Sequence, residues 1–348
     1  MTRPFCRWRI VLAVARTTFR EFWRSPEAVF WTYGFPLLMA VVLGFAFQPK
    51  PPEPVVLAVV AGPGAEQLAA VLGGNPRFVV ERLDAGQAHR ALARGRIALL
   101  LRGSLAEPTL RADPTRPEAE LARLLVERTL RDARDGASAP VASEVEDRPG
   151  SRYIDFLIPG LIGLNLLGAG MWGVGFNLVQ LRIQNLLRRL FATPMRPREF
   201  LLGYMLGRFV LVLPEATAIA LFGAVLWGVP FRGSIAAASL LVIVGGLAFS
   251  GLGCLLAVRA RTIEGIAGLM NAFQLPMWLL GGVFFSTDRM TGVMRWAADC
   301  MPLTHLNRAL RDVMLEPGGL ADVLGPLAGL SAFALSCFVL ALRWFRWN

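Results

Sequence analysis

A chain of 348 residues that is 55% hydrophobic and only 18% charged, with mean hydropathy +0.51, has too few charges to cover the surface of a soluble domain of its size. The formal net charge of +11 raises the question of nucleic acid, but the 14 basic and 14 acidic residues between Lys50 and Gly150 cancel. Taken from totals of 36 and 25, these leave 22 basic and 11 acidic residues beside the apolar runs, a distribution that argues against a basic nucleic-acid face on a soluble domain.

Residues 5–24 read as an amphipathic helix. Trp8, Val11, Leu12, Ala15, Phe19, Phe22 and Trp23 recur at helical spacing, with Arg9, Arg16 and Arg20 opposite. Residues 1–25 are therefore expected to lie in a membrane interface, aromatics among headgroups and cations toward anionic lipid. Packing against a soluble partner is the competing account. Ser25-Pro26-Glu27 supplies an N-cap, a first-turn proline and a first-turn acid, so a fresh helix starts there. Residues 26–48 hold the first expected span.

Prolines at 49, 51, 52 and 54 mark the exit into a second domain, residues 49–150. Strand-like Val55–Val60, Phe78–Leu83 and Ile97–Leu101 alternate with helical Gly64–Leu72, Gln87–Arg94 and Leu121–Arg134. That rhythm predicts a small α/β domain between the first and second spans. It carries no glycine-rich phosphate fingerprint and no cluster of His, Cys and acids.

Six apolar runs have about the 20 residues that a hydrocarbon core of roughly 30 Å demands. They fall near Ala28–Phe47, Ile154–Val179, Phe200–Val229, Ile235–Val258, Ile266–Phe285 and Ala321–Leu342. Lipid offers backbone groups no partner, so each is expected to be a helix. The predicted fold is an all-α polytopic membrane protein of six transmembrane helices, with the α/β domain inserted outside the cytoplasm. Residues 151–348 form its five-helix part. Within that part, Ser286–Gly319 reads as an external pair of short helices dipping into the outer leaflet or lying on it.

Arginines set the orientation. Six precede the first span between Arg3 and Arg24, and others follow the second, fourth and sixth. Excess Lys/Arg marks the cytoplasmic side, so both termini are expected inside. Arg289, Arg295, Arg308 and Arg311 form a rival cluster on the outer side, diluted by Asp288, Asp299, Asp312 and Glu316.

The segment Arg182–Phe200 is basic, amphipathic and caught between two spans. Ile183, Leu186, Leu187 and Leu190 keep helical spacing amid arginines, and Thr193-Pro194 ends that helix. A structured loop of this kind is expected to dock a partner. The alternative is a charged loop that only fixes topology.

Ionisable groups at membrane depth are functional candidates by default. Arg208 and Glu215 lie seven apart on one helical face; Asn271 and Gln274 lie one turn apart before a kink expected at Pro276; Asn165 and Asn177 sit in the second run. Arg208, Glu215, Asn165, Asn271 and Gln274 could line a substrate path or join helix to helix. The four cysteines have no metal spacing, and the two histidines, His89 and His305, read as a surface and a packing residue. There is no G-x-x-x-x-G-K-[ST] loop, and Lys50 is the sole lysine, so no P-loop ATP site exists here. Enzyme chemistry is not expected, and neither a cofactor nor a metal.

Three stretches carry a family resemblance: RRLFATPMRPREFLLGYMLGR (Arg188–Arg208), YIDFLIPGLIGLNLL (Tyr153–Leu167) and MPLTHLNRALRDVML (Met301–Leu315). With the order of one span, an external domain and five further spans, the chain resembles permease subunits of ABC-2 type exporters. The resemblance implies a homodimer of permeases in a bacterial inner membrane, with ATP and Mg bound by a separate ABC ATPase at the cytoplasmic face. It implies that the coupling segment 182–200, through Leu187, Arg188, Arg189, Leu190, Thr193, Pro194, Met195 and Glu199, packs into a groove on that ATPase. Where many relatives carry acids and a glycine, this chain has Ile183, Asn185 and Arg188, which implies a more acidic partner surface. An ATPase-driven signal transmitter without cargo is the second reading, and an ion-coupled carrier the third.

Overall fold

The computed structural model describes residues 7–48, 54–105, 107–112, 117–135, 152–184, 195 and 197–344. They divide into two compact units: Pro49–Glu146, and Met1–Gln48 with Asp147–Asn348.

The smaller unit is α/β. Strands β1 (Val55–Val60), β2 (Phe78–Leu83), β3 (Leu99–Gly103) and β4 (Pro108–Ala112) form one sheet in the order β2-β1-β3-β4. β1 is parallel to β2 and β3, while β4 returns antiparallel on β3, with Leu101 opposite Leu110. Leu57, Val59, Leu99 and Leu101 point to one face, where they pack with Leu68, Leu72, Val126 and Leu130. Ala58, Val60 and Leu100 point to the other, onto Ala88, Ala91 and Ile97. Burial on both faces explains the continuous apolar runs. The first three strands follow the sequence reading. β4 was missed, since PTLRA is half exposed and carries no apolar run.

In the larger unit, α1 (Arg7–Arg24) leads into α2 (Pro26–Ala46). Ser25 Oγ accepts from Ala28 N at 3.4 Å, the expected cap. α1 does not lie free in an interface. Val11, Ala15 and Phe22 are buried, while Trp8, Leu12 and Trp23 stay exposed. The buried side rests on α7 (Pro197–Trp227). Gly203 and Gly207 permit this: a Cβ on either would come 2.6 Å from the carbonyl of Val11 or Ala15.

α6 (Tyr153–Ile183) is apolar on every side and is the bundle's centre, with nearly all of Ile154–Leu167 buried. Around it stand α7, α8 (Ile235–Arg259), α11 (Pro302–Leu315) and α2. α12 (Leu324–Trp344) packs on α8. Five described helices are long and apolar enough to cross a membrane, making this a multi-pass membrane protein: Pro26–Ala46, Tyr153–Ile183, Gly203–Trp227, Ile235–Arg259 and Ala321–Trp344. The run expected to give another span, Ile266–Phe285, is the 18-residue helix α9 (Ile263–Leu280). It stops early because Gly281 and Gly282 turn the chain, Gly282 at φ +69°. At about 1.5 Å per residue it reaches roughly 27 Å, just under the hydrocarbon thickness. Pro276 lies within it, and the helix runs on to Leu280.

Two short helices do occupy Ser286–Gly319. α10 (Gly292–Asp299) exposes Val293, Met294 and Trp296, but α11 is driven into the bundle. Leu303, Leu306, Asn307 and Leu310 are all buried. Asn307 Nδ2 donates to Gly281 O at 2.8 Å, and a Cβ on Gly163 would collide with Asn307 Oδ1. Arg311 donates through Nε to Phe156 O at 3.1 Å and through Nη2 to Gly282 O, with its guanidinium 3.6 Å from the Phe156 ring centroid. Gly160 and Gly163 thus receive the Val283 backbone and α11.

Candidate functional site

The two ends of the bundle are chemically distinct. At one, Leu181, Met195, Phe200, Val258, Ala341 and Val14 of α1 share a cluster. Arg182 Nη1 donates to Ala257 O at 3.2 Å, serving open carbonyls at the end of α8, and Arg259 stacks on Trp344 at 5.6 Å. At the other, the Phe47 and Tyr153 rings stand 4.4 Å apart and Arg152 pairs with fully buried Asp155 at 2.8 Å. Arg152 Nη1 also donates to Trp227 O at 3.1 Å. Leu181, Val258 and Ala341 thus bring the ends of α6, α8 and α12 together at one side of the bundle.

Of the expected coupling residues, Leu187, Arg188, Arg189, Leu190, Thr193 and Pro194 lie outside the described residues. Met195 packs beside Leu181 and Phe200, and Glu199 is buried at the start of α7. The chain therefore leaves α6 and enters α7 at the same end.

Midway along α6 the helix widens into a π turn, Met171–Phe176. Glycines make this region a close crossing. A Cβ on Gly170 would come 2.5 Å from Phe249 C, and one on Gly175 would strike the Gly253 carbonyl. Gly173 O gathers three donors: Tyr204 Oη at 2.7 Å, Asn177 Nδ2 at 3.0 Å and Arg208 Nε at 3.3 Å. A π turn breaks the regular ladder, and side chains from α7 fill the gap.

Two cavities flank Arg208. One, of about 390 Å³, lies between α6, α7 and α8; Leu166, Val174, Phe209, Val212, Leu247 and Ser250 line it with Arg208 and Glu215. The other, of about 260 Å³, is polar and is lined by Thr18, Glu21, Asn177, Gln180 and Tyr204. The Arg208 guanidinium borders both and sits 5.4 Å from the Phe22 ring centroid. Glu215 is 2% exposed, and its Oε2 has no hydrogen-bond partner among the described residues.

The structure thus brings Arg208 and Glu215 to one cavity and leaves the amides elsewhere. Gln274 Oε1 accepts from Trp172 Nε1 at 2.6 Å, Asn271 is exposed on α9, and Asn165 is buried in α6. His305 Nε2 meets Asp299 O at 2.8 Å, but the residue is exposed rather than packed. Sequence reasoning missed Gly173, Tyr204 and Trp172. The glycine spacing in MWGVGF is the one signal that pointed to them.

The helices and their buried charged groups define a polytopic membrane protein. Comparison with known proteins supplies the family. The ABC-2 type transporter family matches residues 136–315, over half of the chain. The chain belongs to that family. It is an ABC-2 type permease subunit. It is 29% identical over 182 residues to ABC transporter G family member 20 of Dictyostelium discoideum, covering 52% of this chain and 25% of that one. It is 27% identical over 217 residues to Inner membrane transport permease YadH of Escherichia coli, covering 58% and 80%. The match thus spans a quarter of the first relative and four fifths of the second.

Proposed function

We propose that this chain is the membrane half of an ATP-driven exporter. A dimer of identical chains, each with six spans when α9 is counted, works in a bacterial inner membrane with both termini in the cytoplasm. A separate ABC ATPase binds ATP and Mg and docks on segment 182–200. Closure of the ATPase pair then moves α6 and α7, and the bundle alternates between inward- and outward-open states. Arg208 and Glu215 lie along the cargo path.

The observation that carries this reading is the family match over residues 136–315, which includes the basic segment. Support also comes from Met195, Leu181 and Phe200, which gather both ends of that segment at the arginine-rich end. A helix pair joined there moves together when the joining segment is pulled.

The test is charge reversal, Arg188→Glu with Arg189→Glu, in the permease co-purified with its ATPase and rebuilt into vesicles. ATP hydrolysis should persist while ATP-dependent flux is lost and insertion stays normal. Unchanged flux would refute the docking role. The folded unit Pro49–Glu146 favours one second reading, a transmitter that moves that unit for a partner without carrying cargo. ATP-dependent flux into vesicles separates the two.

A further inference from the structure

We propose that the cavity between α6, α7 and α8 is a binding site for an amphipathic amine, with the apolar body in the cavity and the protonated nitrogen on Glu215. This names a cargo class for the exporter and rests on that reading for its transport role, though not for binding.

Three observations converge. The cavity, about 390 Å³, is walled chiefly by Leu166, Val174, Phe209, Val212 and Leu247, and offers a ligand dispersion contacts and shelter from water. Glu215 lines it, is 2% exposed, and carries an oxygen that no described group satisfies. A buried acceptor left so is costly until something donates to it, and a cationic N–H is the strongest donor for a carboxylate. The third is that Arg208, the other charge on the wall, is already engaged. Its Nε donates to Gly173 O, its guanidinium borders the Phe22 ring, and the polar cavity with Glu21 lies on its far side.

Distance decides between amine and anion. Seven helical residues separate Arg208 from Glu215 along the axis by about 10.5 Å. A nitrogen held within about 3 Å of Glu215 stands nearer the acid than the arginine, and Coulomb energy falls with distance. An anion on Arg208 would leave the Glu215 oxygen unmet. Ser250 lines the same cavity from α8.

The test uses the full chain in lipid nanodiscs, without nucleotide, and three tritiated probes with one apolar body: 4-phenylbutylamine, 4-phenylbutanol and 5-phenylpentanoate. Saturable binding should favour the amine. Glu215→Gln keeps the shape and removes the charge; it should weaken amine binding about tenfold or more and leave the alcohol nearly unchanged. Glu215→Asp should restore part of it. Ser250→Leu, which fills the cavity from α8, should abolish binding of all three. The proposal is overturned if the pentanoate binds best, or if amine binding survives both Glu215→Gln and Ser250→Leu. A Glu215-dependent amine site on a chain that recruits no ATPase would keep this inference and sink the exporter. ATP-driven flux of some other cargo, without Glu215-dependent amine binding, would do the reverse.

Discussion

The Tyr204 hydroxyl donates to the Gly173 carbonyl at 2.7 Å, fastening α7 to the π turn of α6. Tyr204 is itself buried, so this bond is sheltered from water. Asn177 and Arg208 converge on the same oxygen. Segment 182–200 begins just past this point and ends just before Tyr204.

Removing the hydroxyl tests the joint. Tyr204→Phe should cost about 1 kcal/mol, because two other donors keep Gly173 O satisfied. Gly173→Ala puts a Cβ against the Arg208 guanidinium, the far end of a flexible side chain that can withdraw into the adjoining cavities, and should cost no more than Tyr204→Phe. Thermal unfolding in detergent reads both, and two small losses of similar size are the expected outcome.

The α6–α8 crossing should tolerate no side chain. Gly175→Val puts branched carbons where the Gly253 backbone lies. Little folded protein should survive, judged by size-exclusion profile after solubilisation. Gly168→Ala on the same helix meets nothing within 4 Å and should leave the profile unchanged.

At the opposite end, Asp155 is wholly buried against Arg152. Arg152→Ala should destabilise by about 2 kcal/mol, the cost of a buried charged acceptor losing its donor. Arg152→Met with Asp155→Leu should recover most of that, because replacing both partners leaves no orphan charge. A double variant as unstable as the single one would show that the Trp227 O contact, rather than the pair, matters.

α1 should detach when its seat is filled. In Gly203→Leu or Gly207→Leu the new side chain occupies the space of Val11, Val14 or Thr18. A cysteine introduced by Ala15→Cys should react slowly with a maleimide in the parent chain and fast in the Gly207→Leu background. Equal rates would mean that α1 does not rest on α7 in the membrane.

Much of the architecture is written in one dimension. Ser25-Pro26 starts a helix, and the three parallel strands announce themselves, because both depend on neighbours a few residues away. The fate of Ile266–Phe285 and of Met301–Leu315 does not. Hydropathy alone does not place either: Gly281–Gly282 ends the first at Leu280, and the glycines of α6 admit the second.

The candidate site divides in the same way. Arg208 and Glu215 stand out in sequence as charges in an apolar run, and one helix suffices to put them on one face. Gly173, Tyr204 and Trp172 look like ordinary apolar-run residues. Only the approach of α7 and α9 to a π turn makes partners of them.

Sequence alone determined membrane residence and the helical class, since hydropathy and local propensity are carried by short stretches of chain. Tertiary structure decided that α1 leans on α7, that α11 enters the bundle, and that Glu215 faces a cavity with an oxygen unmet. Those outcomes depend on which backbones can come within a few ångströms of each other, and that is set by pairs of residues far apart along the chain.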